Sequence, residues 1–177
     1  DGGIDIFFKS EIKSVKDNEM TITSPLGEKR IGFDRLLIAI GRVPELEGIG
    51  LENTRVKIGQ DESVIVDETC KTTDENIYAV GDITSGPKLA HKAFRQGKVA
   101  AECIAGRKSA YDNRTVPMVV FSDPEIAATG LTEEEAGKAG IKMVIGRAPL
   151  TASGAGKVSG STIGFMKVIS NEDGIIL

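Results

Sequence analysis

The sequence predicts an α/β arrangement followed by α+β, on three observations. Residues 4–33 alternate apolar and polar side chains between turn signals, as half-buried strands do. Two fully apolar stretches end in glycine, and the second is followed by a helix rich in small residues. Beyond residue 115 short strands and one short capped helix follow without regular strand–helix alternation.

Taking the elements in order, Ile4, Ile6 and Phe8 alternate with polar neighbours, and Asp17-Asn18 and Ser24-Pro25-Leu26-Gly27 are turn signals. An antiparallel meander is expected from Ile6 through Phe33. Leu36-Leu37-Ile38-Ala39-Ile40 is apolar at every position, the pattern of a strand buried on both faces, and stops at Gly41-Arg42-Val43-Pro44. Residues 45–63 read as loop. Val64-Ile65-Val66 and Ile77-Tyr78-Ala79-Val80 read as short strands, the second buried and ending in Gly81-Asp82. Residues 89–105 predict a helix, with Ala90, Ala93, Phe94, Gly97, Ala100, Ala101 and Ile104 as its packed stripe and Gly106 just past its end. A polar stretch over residues 107–115 marks a domain boundary. Then come a strand over residues 118–121, a helix opened by the capping box Thr132-Glu133-Glu134-Glu135 and closed at Gly140, and strands over residues 141–147 and 162–170. Asn171-Glu172-Asp173-Gly174 predicts a hairpin turn. The Gly154-Ala155-Gly156-Lys157 stretch fails as a phosphate loop, because Thr151 and Val158 stand where Gly and Ser or Thr belong, and is expected to be a flexible loop.

Composition narrows the function. The chain has 177 residues and a formal charge of −4, from 22 Lys plus Arg against 26 Asp plus Glu, so no basic excess exists to neutralise nucleic-acid phosphates. Five residues is the longest apolar run, too short to span a membrane. Cys70, Cys103 and His91 are too few for a structural zinc site, and no metal is expected. Twenty-one glycines with no tryptophan imply tight turns and close backbone approaches. The chain opens at Asp1 without Met and closes within Ile175-Ile176-Leu177, so it reads as a piece of a longer protein.

Three segments carry chemistry. Gly41 closes a buried strand at a sheet's carboxyl edge, where a flat ligand can approach the backbone. On pattern alone a plain strand and turn is the simpler account. Gly81-Asp82 follows another buried strand, and the fixed Asp82 carboxylate is a good acceptor for a ribityl or ribose hydroxyl. A turn or N-cap aspartate is the alternative. Lys88-Leu89-Ala90-His91 begin a helix whose first-turn amides can face an electron-rich ring edge. For His91 alone, a helix-start histidine without a ligand is the simpler account.

Together these segments resemble the pyridine-nucleotide disulfide oxidoreductases. Residues 72–82 are similar to that family's second FAD-binding motif, and Ala39-Ile40-Gly41-Arg42-Val43-Pro44 resembles its exit from the NAD domain. Gly86-Pro87-Lys88-Leu89-Ala90-His91-Lys92-Ala93 and Phe121-Ser122-Asp123-Pro124-Glu125-Ile126-Ala127 are most similar to the dihydrolipoamide dehydrogenase branch. The resemblance implies that residues 1–46 end an NAD-binding domain. Residues 47–112 form the second part of a Rossmann-like FAD domain, and 113–177 begin a mixed-sheet dimerisation domain. It implies that Gly81, Asp82, Lys88, Leu89, Ala90 and His91 contact FAD, Asp82 at the ribityl chain, and that Gly41 faces NAD. It further implies a cytoplasmic homodimer that oxidises dihydrolipoamide through a disulfide and FAD to NAD and serves the lipoyl domain of a 2-oxo acid dehydrogenase complex. The rivals are another FAD disulfide reductase, such as a mercuric-reductase-like enzyme, and a non-catalytic interface module or adaptor.

No catalytic residue is assigned. The family's redox cysteines lie five positions apart, whereas Cys70 and Cys103 are 33 apart and read as small buried apolar residues. The family's C-terminal His-Glu pair and the glycine-rich pyrophosphate turns have no counterpart in these residues. These 177 residues alone are therefore expected to be inactive and to bind FAD weakly or not at all.

Overall fold

The computed structural model describes residues 3–158, 160 and 163–177. It divides into two compact units, up to Arg42 and from Val43 onward.

The first unit is built on an antiparallel sheet in the order β1 (Glu11–Lys16), β2 (Glu19–Ser24), β3 (Gly27–Gly32). The β1–β2 connection is Asp17-Asn18, both at positive φ (50° and 60°), the backbone twist that a two-residue hairpin needs. At the second turn the Ser24 hydroxyl accepts from Leu26 N at 3.2 Å. The meander is thus present, but residues 4–10 lie outside its strands. Leu36-Leu37-Ile38-Ala39-Ile40 is not a strand, and Leu37 is 89% exposed. A doubly buried strand needs paired edges and packing on both faces. Here β1, β2 and β3 pair among themselves, and among the unit's described residues nothing buries that stretch.

The second unit opens with a long irregular segment. The expected strands at 64–66 and 77–80 reduce to single bridges. Val64 pairs with Ile58 and, in parallel, with Thr84; Val66 pairs with Thr72, and Tyr78 with Lys71. These stitches hold the chain against α1 (Ala90–Ile104) around Cys70, Val99 and Ala100, with Tyr78, Val80, Cys103 and Tyr111 packed alongside.

The helix α1 forms as expected, but of the expected stripe only Ala100 is buried. Lys92, Gln96, Val99 and Ala100 are its buried residues, whereas Phe94 is 80% exposed and Ile104 is exposed too. The buried stripe runs at i, i+4, i+7, and its polar first two members find hydrogen-bond partners inside. At the far end Gly106 N donates to Cys103 O and Arg107 N to Glu102 O, both at 2.9 Å, closing a Schellman motif on Gly106 at φ +74°.

Further on, β4 (Met118–Val120) pairs antiparallel with β5 (Ile126–Ala128), and α2 (Glu133–Lys138) follows. Thr132 and Glu135 make the full capping box, and Gly140 terminates α2 by the same Schellman pattern. An antiparallel pair, β6 (Met143–Pro149) and β7 (Phe165–Asn171), completes the unit. Thr162, the expected first residue of the last strand, lies outside the described residues. The turn at residues 171–174 is present, with Gly174 N donating to Asn171 O at 3.1 Å and Ser170 bridging Ile176. Residues expected as a flexible loop instead form α3 (Gly154–Val158). The Ser153 hydroxyl accepts from Gly156 N at 2.9 Å, an N-cap that offsets the poor helix propensity of glycine. In these two pairs Met118, Val120, Val144, Phe165 and Val168 remain exposed.

Candidate functional site

Six of the seven residues singled out from the sequence fall together in one turn and the start of α1. Val80 is extended, and residues Gly81–Ile83 make a single 3-10 turn. Gly81 sits at φ +80°, and a Cβ there would stand 3.2 Å from Ala93 Cβ. Its bare backbone therefore makes room for α1 as well as permitting the turn. Asp82, half-buried, occupies the middle of that turn. Lys88 reaches back and donates to Asp82 O at 2.6 Å.

Beneath the turn lies a polar knot that the sequence did not announce. The Lys92 ammonium, 3% exposed, donates to Gly81 O and Thr84 O, both at 3.2 Å, and to Thr84 Oγ1 at 3.0 Å. Its three N–H groups meet three oxygens. Gln96 Oε1 accepts from Gly81 N at 2.8 Å, and Gln96 Nε2 donates to Thr84 Oγ1 at 3.1 Å. Thr84 Oγ1 in turn donates to Gly81 O at 2.8 Å. Among the described residues no buried side-chain nitrogen or oxygen is left without a partner. Burial holds the Lys92 ammonium below its ordinary pKa, with Lys88 adding to the effect and Asp82 and Cys70 opposing it. The four-residue spacing of Lys92 and Gln96, in line with Val99, is the sequence signal that marks this face.

Leu89 is the N-cap of α1 and contributes no side-chain bond there. The exposed Ala90 adds only a methyl group at this end of the helix. His91 is exposed, with Nε2 2.6 Å from Pro117 O; since a carbonyl only accepts, the ring donates. Gly41, the seventh residue, belongs to the first unit at φ +106°, with open space where a Cβ would project.

The donor set suits a polyol carrying an electron-rich ring. A carboxylate on a rigid turn accepts hydroxyl hydrogens, and a helix start lacking a side-chain cap presents N–H dipoles to carbonyl oxygens. No group of three His, Cys, Asp or Glu side chains among the described residues could hold a metal ion. No described helix is long and apolar enough to cross a membrane.

Cys70 and Cys103 are both free. Cys70 is fully buried, and its thiol pKa is raised by that burial, with Asp67 adding to the shift. Cys103 is half-buried, and its Sγ lies 3.2 Å from Ser109 O.

Comparison with known proteins assigns the chain to a family. Residues 1–97 match the family model for pyridine nucleotide-disulphide oxidoreductase, and residues 116–177 match that family's dimerisation domain. The chain is 41% identical over 180 residues to dihydrolipoyl dehydrogenase of Geobacillus stearothermophilus, covering 99% of the chain and 38% of that relative. Among solved structures it resembles LpdA from Mycobacterium tuberculosis, with a TM-score of 0.83, 29% identity, and 99% of this chain against 39% of that one. It also resembles the HOCl-induced flavoprotein disulfide reductase RclA from Escherichia coli, with a TM-score of 0.74, 28% identity, and 89% against 36%. The chain thus spans between a third and two-fifths of each of these proteins. With more than half of its residues matched by the first model and the dimerisation model matching the remainder from residue 116, the chain belongs to the pyridine nucleotide-disulphide oxidoreductase family.

Proposed function

We propose that the protein carrying this chain oxidises dihydrolipoamide to lipoamide with NAD as the final electron acceptor. FAD, when bound, supplies the two-electron relay between those substrates. The observation that carries the reading is the Gly81-Asp82 turn seated on α1, in a chain 41% identical to a dihydrolipoyl dehydrogenase. On this reading Asp82 accepts hydroxyl hydrogens of the ribityl chain. The backbone from Lys88 to His91, with Ala90 at its centre, lies along the flavin, and Gly41 leaves space for NAD. Residues 1–46 then belong to the NAD-binding domain, 47–112 to the FAD-binding domain and 113–177 to the dimerisation domain. The homodimer forms through 113–177, and the lipoyl domain of a 2-oxo acid dehydrogenase complex presents the substrate. A cytoplasmic location accords with the two unpaired cysteines.

The test is purification of the complete polypeptide that carries these residues, followed by flavin spectroscopy and dihydrolipoamide-dependent reduction of NAD. Bound flavin with turnover supports the reading. Bound flavin without turnover on dihydrolipoamide, but with NAD(P)H-dependent reduction of another disulfide or a metal ion, would favour the second reading, a different flavoprotein disulfide reductase. The likeness to RclA is the observation behind that alternative.

A further inference from the structure

We infer that Lys92, Gln96 and Thr84 are positioning residues for Asp82, clamping the backbone of its turn from beneath so that the carboxylate meets the cofactor polyol in one fixed orientation. The inference rests on the proposed FAD-binding role of Asp82 and extends it to side chains that lie under the turn.

The carbonyl groups of the turn, together with Gly81 N, reveal the clamp when they are traced to their partners. Gly81 N is bound by Gln96 Oε1, and Gly81 O by Thr84 N at 3.0 Å, by Thr84 Oγ1 and by Lys92 Nζ. Asp82 O is bound by Lys88 Nζ, and Ile83 O by Val64 N at 2.8 Å. Thr84 O is bound by Lys92 Nζ. A turn of three residues would ordinarily hold its place through its own closing bond alone. This one is pinned on each side of Asp82 by side chains from α1, so the carboxylate and the helix start move as one body. A buried ammonium is costly unless fully hydrogen-bonded. Packing alone needs no such group, since an apolar side chain at position 92 would fill the same space. Fixing the direction of the Gly81 and Thr84 carbonyls is what the ammonium adds, because its three donors answer three oxygens.

A positioning role makes a different prediction from a structural one. The test uses the complete polypeptide carrying these residues and titrates FAD by flavin fluorescence in the wild type, Asp82→Ala, Thr84→Val, Thr84→Ser and the double variant D82A/T84V. Losing one hydrogen bond from the carboxylate is expected to weaken FAD about tenfold to a hundredfold in D82A. T84V is expected to weaken it about tenfold, T84S by less than about threefold, and T84V in the D82A background by less than about twofold, because the clamp acts through Asp82. Lys92→Met should repeat the T84V pattern and serves where T84V folds poorly. Amide hydrogen exchange at Gly81 in the FAD-free protein gives an independent readout: it should quicken in T84V and K92M and remain slow in T84S and D82A. Equal weakening by T84V in both backgrounds would show a general structural effect and overturn the inference while leaving the role of Asp82 intact. If D82A leaves FAD affinity unchanged, the FAD-binding role of Asp82 falls, and the positioning inference falls with it.

Discussion

Replacing Gly81 by alanine separates two reasons for a glycine at that point. The first is its φ of +80°, which costs an L-residue about 1–2 kcal/mol. The second is the new Cβ, 3.2 Å from Ala93 Cβ and so a few tenths of an ångström inside ordinary carbon contact, an overpacking of about 1–2 kcal/mol. Against these stands a gain of roughly 0.4–1 kcal/mol from the stiffer unfolded chain. The net expectation is destabilisation by about 1–3.5 kcal/mol. Gly106 provides the control: its φ is +74° and a Cβ added there would meet nothing within 4 Å, so Gly106→Ala carries the dihedral cost alone. The assay is urea unfolding followed by tyrosine fluorescence, since Tyr78 and Tyr111 are the only tyrosines, both pack on the second unit's core, and no tryptophan intrudes. Ala93→Gly completes the cycle. It should cost about 1 kcal/mol in the wild type through helix propensity and clearly less in G81A, where it relieves the contact. Should G81A prove no worse than G106A, or A93G cost the same in both backgrounds, the close approach of turn to helix would be refuted as the reason for the glycine.

Three further outcomes are expected. Because burial holds Lys92 below its ordinary pKa of 10.5, the unfolded chain binds that proton more tightly. Stability contributed by this site therefore rises with pH towards 10.5, and urea midpoints should show that rise in the wild type but not in Lys92→Met. In the native protein a thiol reagent should label Cys103 well before Cys70, which is fully buried with its thiol pKa raised, and both should react at once in denaturant; equal native rates would contradict the packing. Thr132→Ala should lower stability by about 1 kcal/mol through loss of the capping box, with Thr132→Ser restoring most of it, as read by thermal denaturation.

Local signals survived best between sequence and structure. The Asp17-Asn18 turn, the Thr132–Glu135 box and the glycines closing α1 and α2 depend on a few adjacent backbone groups, and each is present. Elements whose form depends on distant neighbours did not follow the pattern. Leu36-Leu37-Ile38-Ala39-Ile40 has the composition of a central strand, yet a strand exists only by pairing. For α1, small and apolar residues suggested the stripe through Phe94 and Ile104, while the helix is seated by Lys92, Gln96 and Val99. Hydropathy ranks lysine and glutamine as outward-facing, and only the oxygens of residues 81–84 reveal why they point in. The segment from Gly81 to His91 was legible through its motif; the knot supporting it was not, because its partners are mostly backbone atoms, which any sequence supplies.

The bond between His91 and Pro117 joins the start of α1 to the chain entering β4. Proline offers only an acceptor there, so Nε2 carries the hydrogen of this bond. The joint therefore fixes which ring nitrogen carries the bonding hydrogen. Helix start and strand entry are thereby tied through a side chain on one side and a main-chain carbonyl on the other, an acceptor that any residue at position 117 would supply equally well.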